Sequence, residues 1–173
     1  MTDETQILAG KLILVTGASR GIGRAVAIAA AAAGAKLLIT GRTIGALEEV
    51  DDEIKDVGGT ATIVELDMKD TAAMPRLAAA IEERWGRLDG LVANAGMLPV
   101  LTPIDHLQPD VWDECLAVNL SGQWHLIRAM DPLLRVAPAG RAILVSSGAA
   151  IGSRAFWGPY AAAKAGLEAL GRS

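Results

Sequence analysis

Tyr160 is the only tyrosine in the chain, four residues before Lys164 and thirteen after Ser147. Residues at i and i+4 of a helix share one face, so a helix here brings the Lys164 ammonium to the Tyr160 phenol. A phenol titrates near pH ~10 in water, and a nearby cation favours the phenolate. Moving such a group by about three units takes roughly 4 kcal/mol of differential interaction. A close cation in a partly dry cleft, helped by the charge of a bound cofactor, is of the right order. Tyr160 is therefore a candidate general acid/base.

A second set of residues can hold phosphate. Thr16-Gly17-Ala18-Ser19-Arg20-Gly21-Ile22-Gly23 follows the apolar run Leu12-Ile13-Leu14-Val15 and opens a helix. Glycines let backbone approach a ligand, and a helix N-terminus offers free N–H donors and a dipole that favours phosphate. The spacing Gly-x3-Gly-x-Gly departs from G-x-G-x-x-G, but the same mechanics apply; the competing reading is an ordinary glycine-rich turn. NAD sites place an acid on the ribose 2′-hydroxyl at the end of the second strand. This chain has Ile39-Thr40-Gly41-Arg42-Thr43 there, with no acid. Arg42 can pair with a 2′-phosphate through its planar guanidinium, and Arg20 adds a second cation from the glycine turn. The expected cofactor is NADP(H), with NAD(H) the second choice; solvated surface arginines are the bland alternative.

These residues need elements to position them. Leu12–Val15, Leu37–Thr40, Ala61–Glu65, Leu91–Ala93 and Ala142–Ser146 read as strands, the first a continuous apolar run suited to burial on both faces. Between them, helices are expected over Gly21–Ala33, Ile44–Val57, near Ala72–Trp85 and as one long helix near Pro109–Arg135, with a last helix from about Pro159. Gly34 and Gly58-Gly59 stand where helices stop. The alternation implies right-handed crossovers and an α/β, Rossmann-like doubly wound parallel sheet flanked by helices, of strand order 3-2-1-4-5, as a single domain over residues 1–173.

The bulk numbers narrow the classes. A 51% hydrophobic fraction with only 3% aromatics means that alanine and aliphatic residues build the core. A net charge of −4 without a basic block argues against nucleic-acid or membrane-surface partners. One cysteine, Cys115, and two histidines exclude an internal disulfide and supply no metal cluster. No secretory signal or spanning segment is visible, so a cytoplasmic protein is expected.

Taken together, Thr16-Gly17-Ala18-Ser19-Arg20-Gly21-Ile22-Gly23, Ala93-Asn94-Ala95-Gly96, Asn119, Ser147 and Tyr160-Ala161-Ala162-Ala163-Lys164 resemble the short-chain dehydrogenase/reductase family over nearly the whole chain. The resemblance implies an oxidoreductase interconverting a ketone or aldehyde and an alcohol. Tyr160 would exchange a proton with the substrate oxygen while Ser147 positions that oxygen. Lys164 would lower the tyrosine pKa and hold the nicotinamide ribose, and Asn119 would hold a water in a proton relay. Asn94, Ala95 and Gly96 would line the cofactor and Asp67 would hydrogen-bond the adenine; a loop or helix-capping carboxylate is the equal alternative for Asp67. The resemblance further implies a homodimer or homotetramer.

Other residues have quieter readings. Asn119 is unusual inside a helix, and either a bent helix or plain exposure accounts for it. Cys115 reads as a small buried hydrophobe. Trp85, Trp112 and Trp124 read as packing residues; Trp157 is either a substrate-pocket wall beside Met97 and Ile151 or loop packing. The chain stops nine residues after Lys164, where family members continue through two strands and a substrate lid. A truncated record of a longer enzyme is therefore expected, with β-edge Ala142–Ser146 uncovered and substrate identity unstated. The alternative function is a non-catalytic dinucleotide-binding sensor or assembly module.

Overall fold

The computed structural model describes residues 6–152 and 154–173. Five strands, β1 (Leu12–Thr16), β2 (Lys36–Gly41), β3 (Thr60–Glu65), β4 (Gly90–Ala93) and β5 (Arg141–Leu144), form one parallel sheet in the order β3-β2-β1-β4-β5. That is the expected doubly wound sheet. β1 pairs with β2 on one side and β4 on the other, so the connections reverse direction beside it. A crevice opens at the carboxyl ends of strands at such a switch point.

Alternate side chains of β1 leave opposite faces of the sheet. Ile13 and Val15 join the core under helices α1 (Gly21–Ala32) and α2 (Ile44–Asp56). Leu12 and Leu14 join the core under α3 (Ala73–Trp85) and α5 (Gly122–Val136). Burying each such Leu or Ile contributes about 1.5–3 kcal/mol. Alanine-rich α1 is a strong helix former, and Gly34, at φ 93°, turns the chain out of it. The last helix, α6 (Gly158–Arg172), packs on α4 (Pro109–Leu116) and α5.

Two boundaries depart from expectation. The long helix is interrupted between α4 and α5 by a π turn, Ala117–Ser121, although the chain continues in one direction. The strand expected over Ala142–Ser146 instead runs Arg141–Leu144, because its partner β4 ends at Ala93. Val145 keeps one bond, donating to the Ala93 carbonyl at 3.1 Å, and Ser146 turns away to donate to Glu168 at 2.7 Å. β5 is the outer strand, and Ile143 on it is 60% exposed.

At the amino ends of the central strands, Asp89 ties the start of β1 to the turn before β4. Its carboxylate accepts from the Leu12 N–H at 3.0 Å and from Arg87 at 3.2 Å, and Lys11 lies at 3.4 Å. Burial pushes its pKa up, but the Leu12 N–H and Arg87 outweigh that and hold it below the usual carboxylate value. A depressed carboxylate stabilises the fold above its ordinary pKa and loses that contribution as pH falls through the folded value. Asp89→Ala should cost about 2–3 kcal/mol at pH 7, the range for bonds to a charged group, by urea unfolding. The gap between wild type and variant should close as the pH is lowered below about 4.

Candidate functional site

One cleft of about 520 Å³ opens at the crevice beside β1. Of the residues expected to hold a cofactor, Gly17, Ser19, Arg20, Gly21, Ile22, Arg42, Asp67, Asn94, Ala95 and Gly96 all line it. Gly23 lies underneath: a Cβ there would collide with the Gly17 carbonyl and stand 2.5 Å from Asn94 Nδ2. Gly17, at φ 65°, is equally constrained, since its Cβ would come within 2.8 Å of Ala95 Cα. Tyr160, Lys164 and Ser147 do not line this cleft.

The turn after β4 is fixed by hydrogen bonds from three directions. Thr16 Oγ1, buried at the end of β1, accepts from the N–H groups of Asn94 and Ala95 at 3.1 Å each. Asn94 Nδ2 donates to the carbonyls of Thr16 at 2.9 Å and Gly17 at 3.1 Å. Asn119, fully buried, accepts from Met97 N at 3.0 Å and donates to Met97 O at 2.8 Å. Its amide also donates to Cys115 O at 3.0 Å and reaches Cys115 Sγ at 3.3 Å. The exposed-surface reading of Asn119 is thereby corrected: the helix deforms into a π turn and buries the side chain against the β4 turn. Gln123, one turn on and also buried, donates to the Ala95 carbonyl at 2.6 Å.

Lys164 lies behind this turn. It is 3% exposed, and its Nζ donates to the Val145 carbonyl at 2.7 Å. Burial pushes its pKa below the ordinary lysine value. Nζ stands 5.7 Å from the centre of the Tyr160 ring, on the α6 face that the i, i+4 spacing implies. Gly96 leaves a gap between these groups: a Cβ on it would be 2.7 Å from Asn119 Oδ1 and 3.7 Å from Lys164 Nζ. Ser147 Oγ accepts from Ala149 N at 3.2 Å and caps a short 3-10 turn, Gly148–Ala150, which packs on α6. Among the described residues no hydrogen bond joins Ser147, Tyr160 and Lys164 to one another.

Arg20 and Arg42 line the cleft and are exposed, and among the described residues neither forms a salt bridge. Arg20 is the N-cap of α1 and makes no side-chain capping bond. Asp67 lines the cleft while its Oδ1 accepts from Lys69 N at 2.9 Å. α3 begins at Ala73 with Asp70, not Asp67, accepting from its first N–H at 3.2 Å, so the helix-capping alternative for Asp67 falls away. Sequence reasoning did not single out Thr16, Gln123 or Glu114. The last pairs with Lys69 at 2.7 Å on the cleft wall. Cys115 is fully buried, and burial pushes its thiol pKa up, in keeping with an inert packing role. Trp157 meets Tyr160 edge-on, with ring centres 5.8 Å apart. Among the described residues no cluster of three or more His, Cys, Asp or Glu could hold a metal ion, and no helix is long and apolar enough to cross a membrane.

A parallel sheet of this order, with a glycine turn at its switch point, defines a dinucleotide-fold protein. The chain belongs to the short chain dehydrogenase family, whose model matches residues 11–173. An uncharacterized oxidoreductase, YciK of Escherichia coli K12, is 35% identical over 167 residues, covering 95% of this chain and 66% of that protein. A crystal structure described as a short chain dehydrogenase from Escherichia coli CFT073, complexed with NADPH, superposes with a TM-score of 0.92 at 34% identity, covering 97% of this chain and 71% of the other. A short chain dehydrogenase structure from Pseudomonas syringae gives a TM-score of 0.93 at 37% identity, covering 98% and 70%. The chain thus spans just under two thirds of the length of the first curated relatives it matches.

Buried Lys164 has a measurable signature. A lysine whose pKa is depressed on folding destabilises the fold while charged, and that penalty fades as pH rises from the folded value towards 10.5. Wild type should therefore gain stability relative to Lys164→Met between neutral pH and about pH 10.5, followed by denaturant unfolding at each pH.

Proposed function

We propose that the protein is an NADP(H)-dependent oxidoreductase interconverting a ketone or aldehyde and an alcohol. The observation that carries this reading is Lys164, a buried cation held by a backbone carbonyl beside the phenol of the chain's only tyrosine. A purely structural position would be filled more stably by an aliphatic side chain.

The cleft suits a dinucleotide on its own terms. Gly17 and Gly23 remove the side chains that would block close approach of two backbone turns, and the first turn of α1 offers N–H donors to phosphate. Arg20 and Arg42 both line the cleft, each a guanidinium suited to a 2′-phosphate, and a relative 34% identical is complexed with NADPH. A nicotinamide cofactor held in the cleft would supply a hydride for the carbonyl carbon, NADPH being oxidised to NADP+. Tyr160 gives its phenolic proton to the carbonyl oxygen, and takes one from the alcohol in the reverse direction. Ser147 donates a hydrogen bond to the same oxygen and orients it. Lys164 supplies positive charge beside Tyr160 and would hold the cofactor ribose. Asn119 fixes the Met97 backbone, and the second lone pair of its Oδ1 is available to a relay water in the gap that Gly96 leaves. The protein is read as cytoplasmic and homo-oligomeric.

With the intact protein and a confirmed substrate, Tyr160→Phe should lower kcat by about 10²–10⁴, the usual weight of a general acid, while NADPH still binds. Wild-type turnover by that variant would remove Tyr160 from the chemistry. Binding of NADPH without turnover across a broad carbonyl panel would instead favour a non-catalytic sensor. Arg42→Ala should reduce the NADPH-over-NADH preference in kcat/KM by roughly 10–100-fold, as loss of a bond to a charged group does; an unchanged ratio assigns the 2′-phosphate elsewhere.

A further inference from the structure

Two stretches flank Tyr160 at the carboxyl edge of the sheet: residues 97–104, after β4, and the described residues 148–152 and 154–157, before α6. The first, Met97-Leu98-Pro99-Val100-Leu101-Thr102-Pro103-Ile104, carries no charge. From Gly148 through Ala163 the only charged residue is Arg154. The first loop reaches the start of α6, since Ile104 Cδ1 lies 4.0 Å from where a Cβ on Gly158 would stand. Large apolar side chains on the two stretches face solvent: Ile104 is 80% exposed, Ile151 87% and Phe156 55%. Phe156 holds a φ of 70°, rare for any residue but glycine, and its side chain is still not buried. An apolar rim of this kind beside a site marks a surface built to be covered by a ligand or partner.

The one cation on this rim is placed with respect to the chemistry. The Arg154 guanidinium lies 5.0 Å from the centre of the Trp157 ring, and Trp157 meets Tyr160 edge-on at 5.8 Å. Trp157 thus neighbours both the cation and the phenol. Among the described residues Arg154 forms no salt bridge, and neither loop holds an acid to neutralise it. A planar guanidinium in that state is suited to a carboxylate or phosphate oxygen pair. A sugar or polyol would leave its hydroxyls against Ile104, Ile151 and Phe156 without partners, which disfavours it.

We propose that the site takes an apolar carbonyl compound bearing one anionic group, its body against Ile104, Ile151, Phe156 and Trp157 and its anion on Arg154. The inference rests on the reading of Tyr160 as the proton donor, and it names the substrate class of that same site. Sharing of the rim with a second copy of this chain is the competing occupancy.

The test uses the intact protein with NADPH and three probes: 4′-acetylbiphenyl-4-carboxylate, its primary carboxamide, and D-fructose. The carboxylate should exceed the carboxamide in kcat/KM by about 10-fold or more, through KM, as one bond to a charged group provides. Arg154→Gln should bring that ratio to about one, Arg154→Lys should keep part of it, and D-fructose should be the poorest substrate of the three. Binding of the same probes to Tyr160→Phe with NADP+, followed by tryptophan quenching, separates the two readings. Carboxylate-selective binding that Arg154→Gln abolishes, without turnover by wild type, would sustain the ligand class and overturn the proton-transfer role. Equal handling of carboxylate and carboxamide, a preference for D-fructose, or binding of none of the probes overturns the proposal. So does an Ile151→Glu variant that dissociates an oligomer and leaves the carboxylate preference intact, because the rim is then a subunit contact.

Discussion

The site depends on one buried carboxamide. Asn119 saturates both backbone groups of Met97, and it can do so only because its helix gives up regular α geometry for one π turn. Such insertions cost regular hydrogen bonding and are kept where a side chain must be aimed. Here it is aimed at the turn leaving β4, where it adds to the hold that Thr16 and Asn94 have on the start of that turn. Gln123 repeats the arrangement one turn further on, at the Ala95 carbonyl. The long helix therefore does more than cover the sheet, because it sets the height and tilt of the strand-end turn beside it.

Around that turn, the sheet separates two kinds of electrostatic environment. On the glycine-turn side the cleft is open, with exposed guanidinium groups and an uncapped helix start. On the α6 side the cation is enclosed, bonded to a carbonyl left over where β5 stops pairing. Exposed cations suit a ligand that brings its own negative charge, and screening by salt weakens them. An enclosed cation acts over short range on its immediate neighbours with little screening. Both arise from the topology: β1 has neighbours on either side, and the crossovers leave it in opposite directions.

Much of this is legible in the sequence because the central strands β1 and β2 are buried on both faces. Leu12–Val15 reads as a continuous apolar run and Leu37–Thr40 as a second strand, and their ends fix where each strand-end turn begins. The glycines and arginines of the cleft were legible for the same reason, since they stand at a fixed offset from those runs. β5 was misjudged because its apolar letters outlast its partner: Val145 and Ser146 look like strand, but β4 ends first. The π turn was invisible because one inserted residue barely disturbs helical periodicity. Gln123 was overlooked because a glutamine in a helix reads as surface until a carbonyl from another segment is found against it. Thr16 was read as the start of a glycine motif, whereas its hydroxyl serves as a crossbar between β1 and the β4 turn.

The packing of Gly23 under Gly17 and Asn94 has a consequence for how the protein tolerates change. The glycine turn after β1 and the Asn94-Ala95 turn after β4 are separated by more than seventy residues of chain, yet no methyl group fits between them. They behave as one rigid body with two covalent tethers. Substitutions on the two turns will therefore be non-additive, a second change costing little once the first has parted them. A lineage altering this region must move both turns together or neither, whatever else changes around the cleft.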